Sequence, residues 1–136
     1  MRFSEYVWHG VLKRPYKLKK IIDQGSSDKV IVLIHGLGAK AQQWKPLVSA
    51  LKESDCRIIA YDLLGFGASP KPEFIEYSVE EHTRSLLKSI KKDLGPNKKI
   101  TIVGHSMGCI ISTNLAYRTP SLIDTLILYA PPILAS

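Results

Sequence analysis

Ile100-Thr101-Ile102-Val103-Gly104-His105-Ser106-Met107-Gly108-Cys109-Ile110-Ile111 is the stretch whose reading decides the fold. A short β-branched run leads straight into a serine framed by glycines at 104 and 108, and a helix-like segment follows. A strand that turns at once into a helix strains the residue at the turn and drives the neighbouring backbones together. Glycines at 104 and 108 remove the side chains that would collide, and Ser106 is left with its hydroxyl projecting into a cleft. The five residues alone are a weak signal, because serine and glycine are common. The strand pattern before them and the helix pattern after them supply the context a serine nucleophile needs, against the alternative of a structural serine.

Working outward, three further apolar runs resemble the one that ends at Val103: Val30–Ile34, Arg57–Tyr61 and Thr125–Tyr129. Runs without polar alternation fit strands buried on both faces, as in a parallel sheet. Helical periodicity lies between them. Trp44, Leu47, Val48 and Leu51 share one face, as do Val79, Thr83, Leu86, Leu87 and Ile90. The second set opens on a Ser78-x-x-Glu81 capping box. A third helix is expected over Cys109–Arg118, closed by Thr119-Pro120. Alternating strands and helices predict an α/β fold, a mostly parallel sheet with helices on both faces. Residues 1–136 read as one domain, with core βα units over 29–132. Ahead of them, Tyr6–Val11 and Lys17–Ile22 flank Lys13-Arg14-Pro15 and predict an antiparallel edge hairpin within residues 1–28.

Composition narrows the function classes. With 136 residues, 45% of them hydrophobic, the chain can bury one core. Its apolar runs are far shorter than the roughly 20 residues of a membrane span, and Glu5 and His9 interrupt the start where a signal peptide needs an apolar stretch. Cys56 and Cys109 read as small buried hydrophobes in a reducing compartment, and a cytoplasmic location is expected. The net charge of +7 comes largely from two basic sets, around Lys13–Lys20 and Lys88–Lys99. Neither interleaves stacking aromatics beyond Tyr16, so solvated surface is expected rather than nucleic-acid binding. No cofactor or metal is expected: Pro70 and Pro72 follow Gly65-Phe66-Gly67, so no helix start is in place for a pyrophosphate, and histidines and cysteines are scattered.

In such sheets ligands bind beyond the carboxyl ends of the strands. Three loops there are glycine-rich: His35-Gly36-Leu37-Gly38, Asp62-Leu63-Leu64-Gly65-Phe66-Gly67-Ala68-Ser69, and Gly104-His105-Ser106-Met107-Gly108. In this order and spacing they resemble the α/β-hydrolase family over most of Lys29 to Pro132. The resemblance implies that Ser106 is the nucleophile, and that the backbone N–H groups of Leu37 and Met107 form an oxyanion hole. His35, Gly36, Gly38, Phe66 and His105 are substrate-pocket candidates. His35 is expected to brace the oxyanion loop. His105, next to the nucleophile on a tight turn, is a poor candidate for the base. Asp62, Gly65 and Gly67 read as turn formers.

A serine hydroxyl needs a histidine to take its proton and an acid to orient that histidine. In this family they follow the serine, acid first. After Ser106 the chain holds one acidic residue, Asp124, ahead of the last strand, and no histidine. The expectation is therefore an N-terminal portion of such a domain, truncated before the lid and last strands. The sheet would then end on an apolar edge that invites self-association or a complementing fragment. The implied activity is hydrolysis of a carboxylic ester through an acyl-serine, on a small-molecule ester or acyl substrate. A catalytically inactive fragment or a non-catalytic binding protein of the same fold is the alternative.

Overall fold

In a computed structural model that describes residues 2–133, the apolar runs become the strands of one sheet. An N-terminal helix, α1 (Phe3–Glu5), continues as a π-helix (Tyr6–Val11). Strand β1 (Lys20–Gln24) is followed by β2 (Val30–Ile34), a 3-10 turn (Ala41–Trp44), α2 (Lys45–Ala50) and β3 (Arg57–Tyr61). Then come α3 (Val79–Leu94), β4 (Ile100–His105), α4 (Met107–Arg118) and β5 (Ile123–Tyr129). The spatial order is β1-β3-β2-β4-β5. β3, β2, β4 and β5 run parallel, and β1 joins β3 antiparallel. This is the mostly parallel sheet expected from the unbroken apolar runs.

Alternate residues of each strand feed two cores. Val32, Ile34, Ile59 and Ile102 pack with Leu86 and Ile90 of α3 and with Ile111 and Leu115 of α4. Leu33, Ile58, Ala60 and Val103 pack on the other face with Ala41, Trp44 and Val48. Helices therefore cover both faces, and each fully buried Leu or Ile contributes about 1.5–3 kcal/mol. The N-cap half of the predicted capping box forms: Ser78 Oγ accepts from the Glu81 N–H at 3.2 Å. Such a cap is worth about 1 kcal/mol.

The N-terminal hairpin is a correction. Tyr6–Val11 is helical, and the strand that follows spans Lys20–Gln24, pairing with β3 and not with its own N-terminal neighbour. The intervening arm spends its donors on α3. The Tyr16 N–H donates to Ser85 Oγ at 3.1 Å and the Leu18 N–H to Ser89 Oγ at 2.8 Å. The Lys17 ammonium pairs with Asp93 at 2.7 Å. Tyr16 and Leu18 are buried against the helix and have spent their backbone N–H groups there, leaving neither for a hairpin ladder. At the opposite edge, β5 turns Ile127, Leu128 and Tyr129 outward to solvent. Among the described residues no helix is long and apolar enough to cross a membrane.

Candidate functional site

Ser106 lies between β4 and α4 with φ 52° and ψ −119°. This is a left-handed conformation that a side-chain-bearing residue adopts at a cost of about 1–3 kcal/mol. It persists because the surroundings fix it. The Ser106 N–H donates to the Tyr129 carbonyl at 3.2 Å, and its own carbonyl accepts from the Cys109 N–H at 2.9 Å. A Cβ on Gly104 would stand 2.5 Å from the Gly108 carbonyl oxygen, and one on Gly108 would stand 2.5 Å from that of Ile34. Only glycine fits at either position, because strand β2, the turn and the first turn of α4 are in direct backbone contact.

The same crowding brings the loop after β2 against the serine. A Cβ on Gly36 would lie 3.0 Å from both Ser106 Cβ and His105 Nδ1. The structure thus gathers Gly36, Leu37, His105, Ser106 and Met107 at one end of the sheet, from two segments some 70 residues apart in sequence. Leu37 points its side chain into solvent, 74% exposed, so any contribution from this residue runs through its backbone. Among the described residues neither the Leu37 nor the Met107 N–H is used in a turn or cap hydrogen bond. Met107 opens the 12-residue helix α4, where unpaired N–H groups and the helix dipole favour an anion. Gly38 takes a positive φ of 71°, in the turn closed by the Ala39 N–H on the Gly36 carbonyl at 3.2 Å.

His35 is fully buried and both ring nitrogens are committed. Its Nε2 accepts from the Leu63 N–H at 2.9 Å, so the proton sits on Nδ1, which donates to the Gly36 carbonyl at 2.8 Å. Burial holds this imidazole below its ordinary range, while the Gly36 carbonyl and Asp62 pull the other way. His35 therefore fastens the β2 loop to the β3 loop as a neutral strut. Phe66 stacks edge-on against it at 5.4 Å, half-buried on the core. The ring of His105 is held sideways, between Gln43, whose Nε2 donates to His105 Nδ1 at 3.2 Å, and the rings of Trp44 and Tyr129.

Two of these features escaped the sequence reading. Gln43 comes to His105 only through the 3-10 turn, and nothing in Ala41-Gln42-Gln43-Trp44 announces it. Asp62 read as a turn former, yet it is a buried clamp. Its Oδ1 accepts from the Ala41 N–H and its Oδ2 from the Ala68 N–H, each at 2.8 Å. The signal was present in a carboxylate directly after a buried strand, where a charge survives only with such donors.

The remaining histidines pack against other residues than Ser106. His82 is buried on α3 among Phe66 and Tyr77, and His9 stacks on Tyr16 in the N-terminal arm. Asp124 is exposed at the start of β5, the end of the sheet opposite Ser106.

Comparison with known proteins agrees with this fold. The family model described as "alpha/beta hydrolase fold" matches residues 29–135. The Arabidopsis thaliana protein named "Probable lysophospholipase BODYGUARD 2" is 37% identical over 120 residues, 85% of this chain and 25% of its own length. The thioesterase domain from the curacin biosynthetic pathway overlays with a TM-score of 0.76 at 27% identity, covering 89% of this chain and 48% of that one. An epoxide hydrolase of Bacillus megaterium overlays at 0.75 and 27% identity, covering 85% and 39%. The chain spans about a quarter of the length of the first curated relatives it matches. With its family's model matched from Lys29 onward and the glycine-bounded serine at the turn between β4 and α4, the chain belongs to the alpha/beta hydrolase fold family.

Proposed function

We propose that Ser106 is the nucleophile of a carboxylic ester hydrolase, attacking an acyl carbon to form an acyl-serine. The observation that carries this reading is the strained Ser106 backbone between β4 and α4, with the Gly36 backbone pressed against it. Strain of this kind is stored where a side chain must be presented in one direction. The N–H groups of Leu37 and Met107 then receive the oxygen that becomes negative during attack. Each such donor is worth about 3–4 kcal/mol where it has been removed elsewhere. A lysophospholipase and a thioesterase, both acyl-transfer names, are among the proteins this chain resembles. The likeness to an epoxide hydrolase carries less weight, because family members with that chemistry place aspartate at the elbow, where this chain has Ser106.

The proton of Ser106 needs an acceptor. His35 has both nitrogens occupied, His105 is turned toward Gln43, and His9 and His82 are packed elsewhere. The base and its acid are therefore assigned to residues outside these 136. The same observation favours a second reading, in which this chain binds but does not turn over. Single-turnover release of p-nitrophenol from p-nitrophenyl butyrate, with imidazole supplied as a diffusible base, separates the two. Release that depends on Ser106 and is absent from Ser106→Ala supports the nucleophile. Equal release from both proteins supports the non-catalytic reading.

A further inference from the structure

The N-terminal helix has two unlike faces. His9 and Gly10 pack inward and Tyr6, though 43% exposed, leans on the same ring: Tyr6 lies edge-on to Phe74 at 5.5 Å, a Cβ on Gly10 would lie 3.3 Å from Phe74, and His9 stacks on Tyr16 at 3.8 Å. Trp8 and Val11 of this helix and Leu12 at its end are instead 50%, 61% and 53% exposed. Phe3 at the helix start is exposed as well. A water-facing helix ordinarily turns its polar residues outward. This one presents an indole and two aliphatic side chains.

Cations border that face. Leu12-Lys13-Arg14 follow the last helical residue, Val11, and the Arg14 guanidinium lies 5.5 Å over the Trp8 ring. Arg84 and Lys88 of α3 reach across to the same arm, donating to the Lys13 carbonyl at 2.5 Å and the Pro15 carbonyl at 2.7 Å. Lys13 and Arg14 of the first basic set thus come together with Arg84 and Lys88, some 70 residues on. Burial, and then repulsion from Lys92, Arg14 and Lys17, pushes the Lys88 ammonium below its ordinary value, a sign that these charges feel one another. The acids nearby are partly spent within the fold: Asp93 on Lys17 and Glu81 facing Arg84 at 3.8 Å. Glu5 is exposed on the helix itself.

We propose that this surface docks on an anionic lipid surface, with Trp8, Val11 and Leu12 entering the headgroup boundary and Lys13, Arg14, Arg84, Lys88 and Lys92 facing the lipid phosphates. Apolar insertion beside a cationic rim is the pairing that holds a helix in a membrane interface, and neither part suffices alone. A nucleic-acid partner would use the cations and leave the aliphatic face unexplained. Orientation supports the assignment. β1 begins at Lys20, opposite Tyr61, the last residue of β3. The arm therefore enters the sheet from its carboxyl end, the end at which Ser106 sits, and docking turns that end toward the lipid.

The test is co-sedimentation of the protein with vesicles of phosphatidylcholine alone and of phosphatidylcholine mixed with phosphatidylglycerol. Binding to the mixed vesicles, weakened by salt, is expected. Trp8→Ser with Leu12→Ser should weaken it about tenfold or more, and Lys13→Gln, Arg14→Gln and Lys92→Gln about fivefold for each cation removed. All five side chains are exposed, so circular dichroism and the thermal midpoint should not move. No sedimentation with the mixed vesicles would overturn the proposal. So would binding that both variants retain in full, or binding to single-stranded RNA in place of vesicles that survives the Trp8→Ser change.

Discussion

The Ser106 N–H donates to the carbonyl of Tyr129 at 3.2 Å, fastening the strained turn to the last residue of the edge strand. The Cys109 thiol adds a second tie, lying 3.3 Å from the same carbonyl and 3.0 Å from that of Gly104. The backbone that presents the serine is therefore only as firm as β5. On its outer side β5 has no neighbouring strand among the described residues.

That edge is the basis of the first prediction. Ile127 and Leu128 are exposed on a strand with a free row of backbone groups, an arrangement that recruits another chain. Sedimentation velocity should show species larger than a monomer that grow with concentration. Ile127→Lys should shift the distribution toward monomer. A single monomer across the micromolar range would contradict this.

The glycines of the turn give the second. Gly104→Ala and Gly108→Ala each place a Cβ 2.5 Å from a backbone oxygen, which no side-chain rotation relieves. Each should lower the unfolding free energy by at least about 2 kcal/mol in urea titration. Gly38→Ala meets no neighbour within 4 Å and should cost only the strain of its positive φ, about 1–2 kcal/mol.

The proposed oxyanion donors make a sharper distinction. Leu37 acts through its N–H and holds its side chain in solvent, so Leu37→Ala should leave Ser106-dependent p-nitrophenol release nearly unchanged. Leu37→Pro deletes the N–H and should slow release by about 10²–10³-fold at an unchanged thermal midpoint. Equal rates in the two variants would remove Leu37 from the site.

Stability should also respond to pH through the buried histidines. Burial holds His35 and His82 below their ordinary range, and for His82 the neighbouring His35 adds to the effect. The unfolded chain takes up these protons near the ordinary value of about 6.5, while the folded chain does not. The unfolded state then binds more protons, so stability is full above that value and falls as pH drops through it. The slope should reach at most about 1.4 kcal/mol per pH unit for each histidine. His82→Phe should remove its share of the slope, and it sacrifices no hydrogen bond at the unpaired Nδ1. Asp23, pulled down to about 2 first of all by its hydrogen bond to Arg57, loses its contribution only below the ordinary carboxylate range near 4. The two windows are separable by urea titration across pH.

What the sequence made legible follows from how each segment is stabilised. β2 and β3 occupy the ranges their unbroken apolar runs predict, and α3 starts at its capping box, because burial on both faces and a local cap are written in neighbouring residues. The Ser106 turn was legible for the same reason: its constraint is a local backbone collision. The N-terminal arm was not. Its β-prone Tyr6, Val7, Trp8 and Val11 have no strand beside them, and its path is set by Ser85, Ser89 and Asp93, some 70 residues on. Asp62 and Gln43 were missed alike, since the partners that define them, Ala41, Ala68 and His105, are supplied by other loops.

The central claim is that Ser106 carries the acyl group. The most direct measurement is mass spectrometry of the protein quenched in acid during reaction with p-nitrophenyl butyrate and imidazole. A butyryl group on the peptide containing Ser106, absent from the Ser106→Ala protein, is the predicted result. An unmodified Ser106 peptide, or the same acylation pattern in both proteins, would contradict the claim.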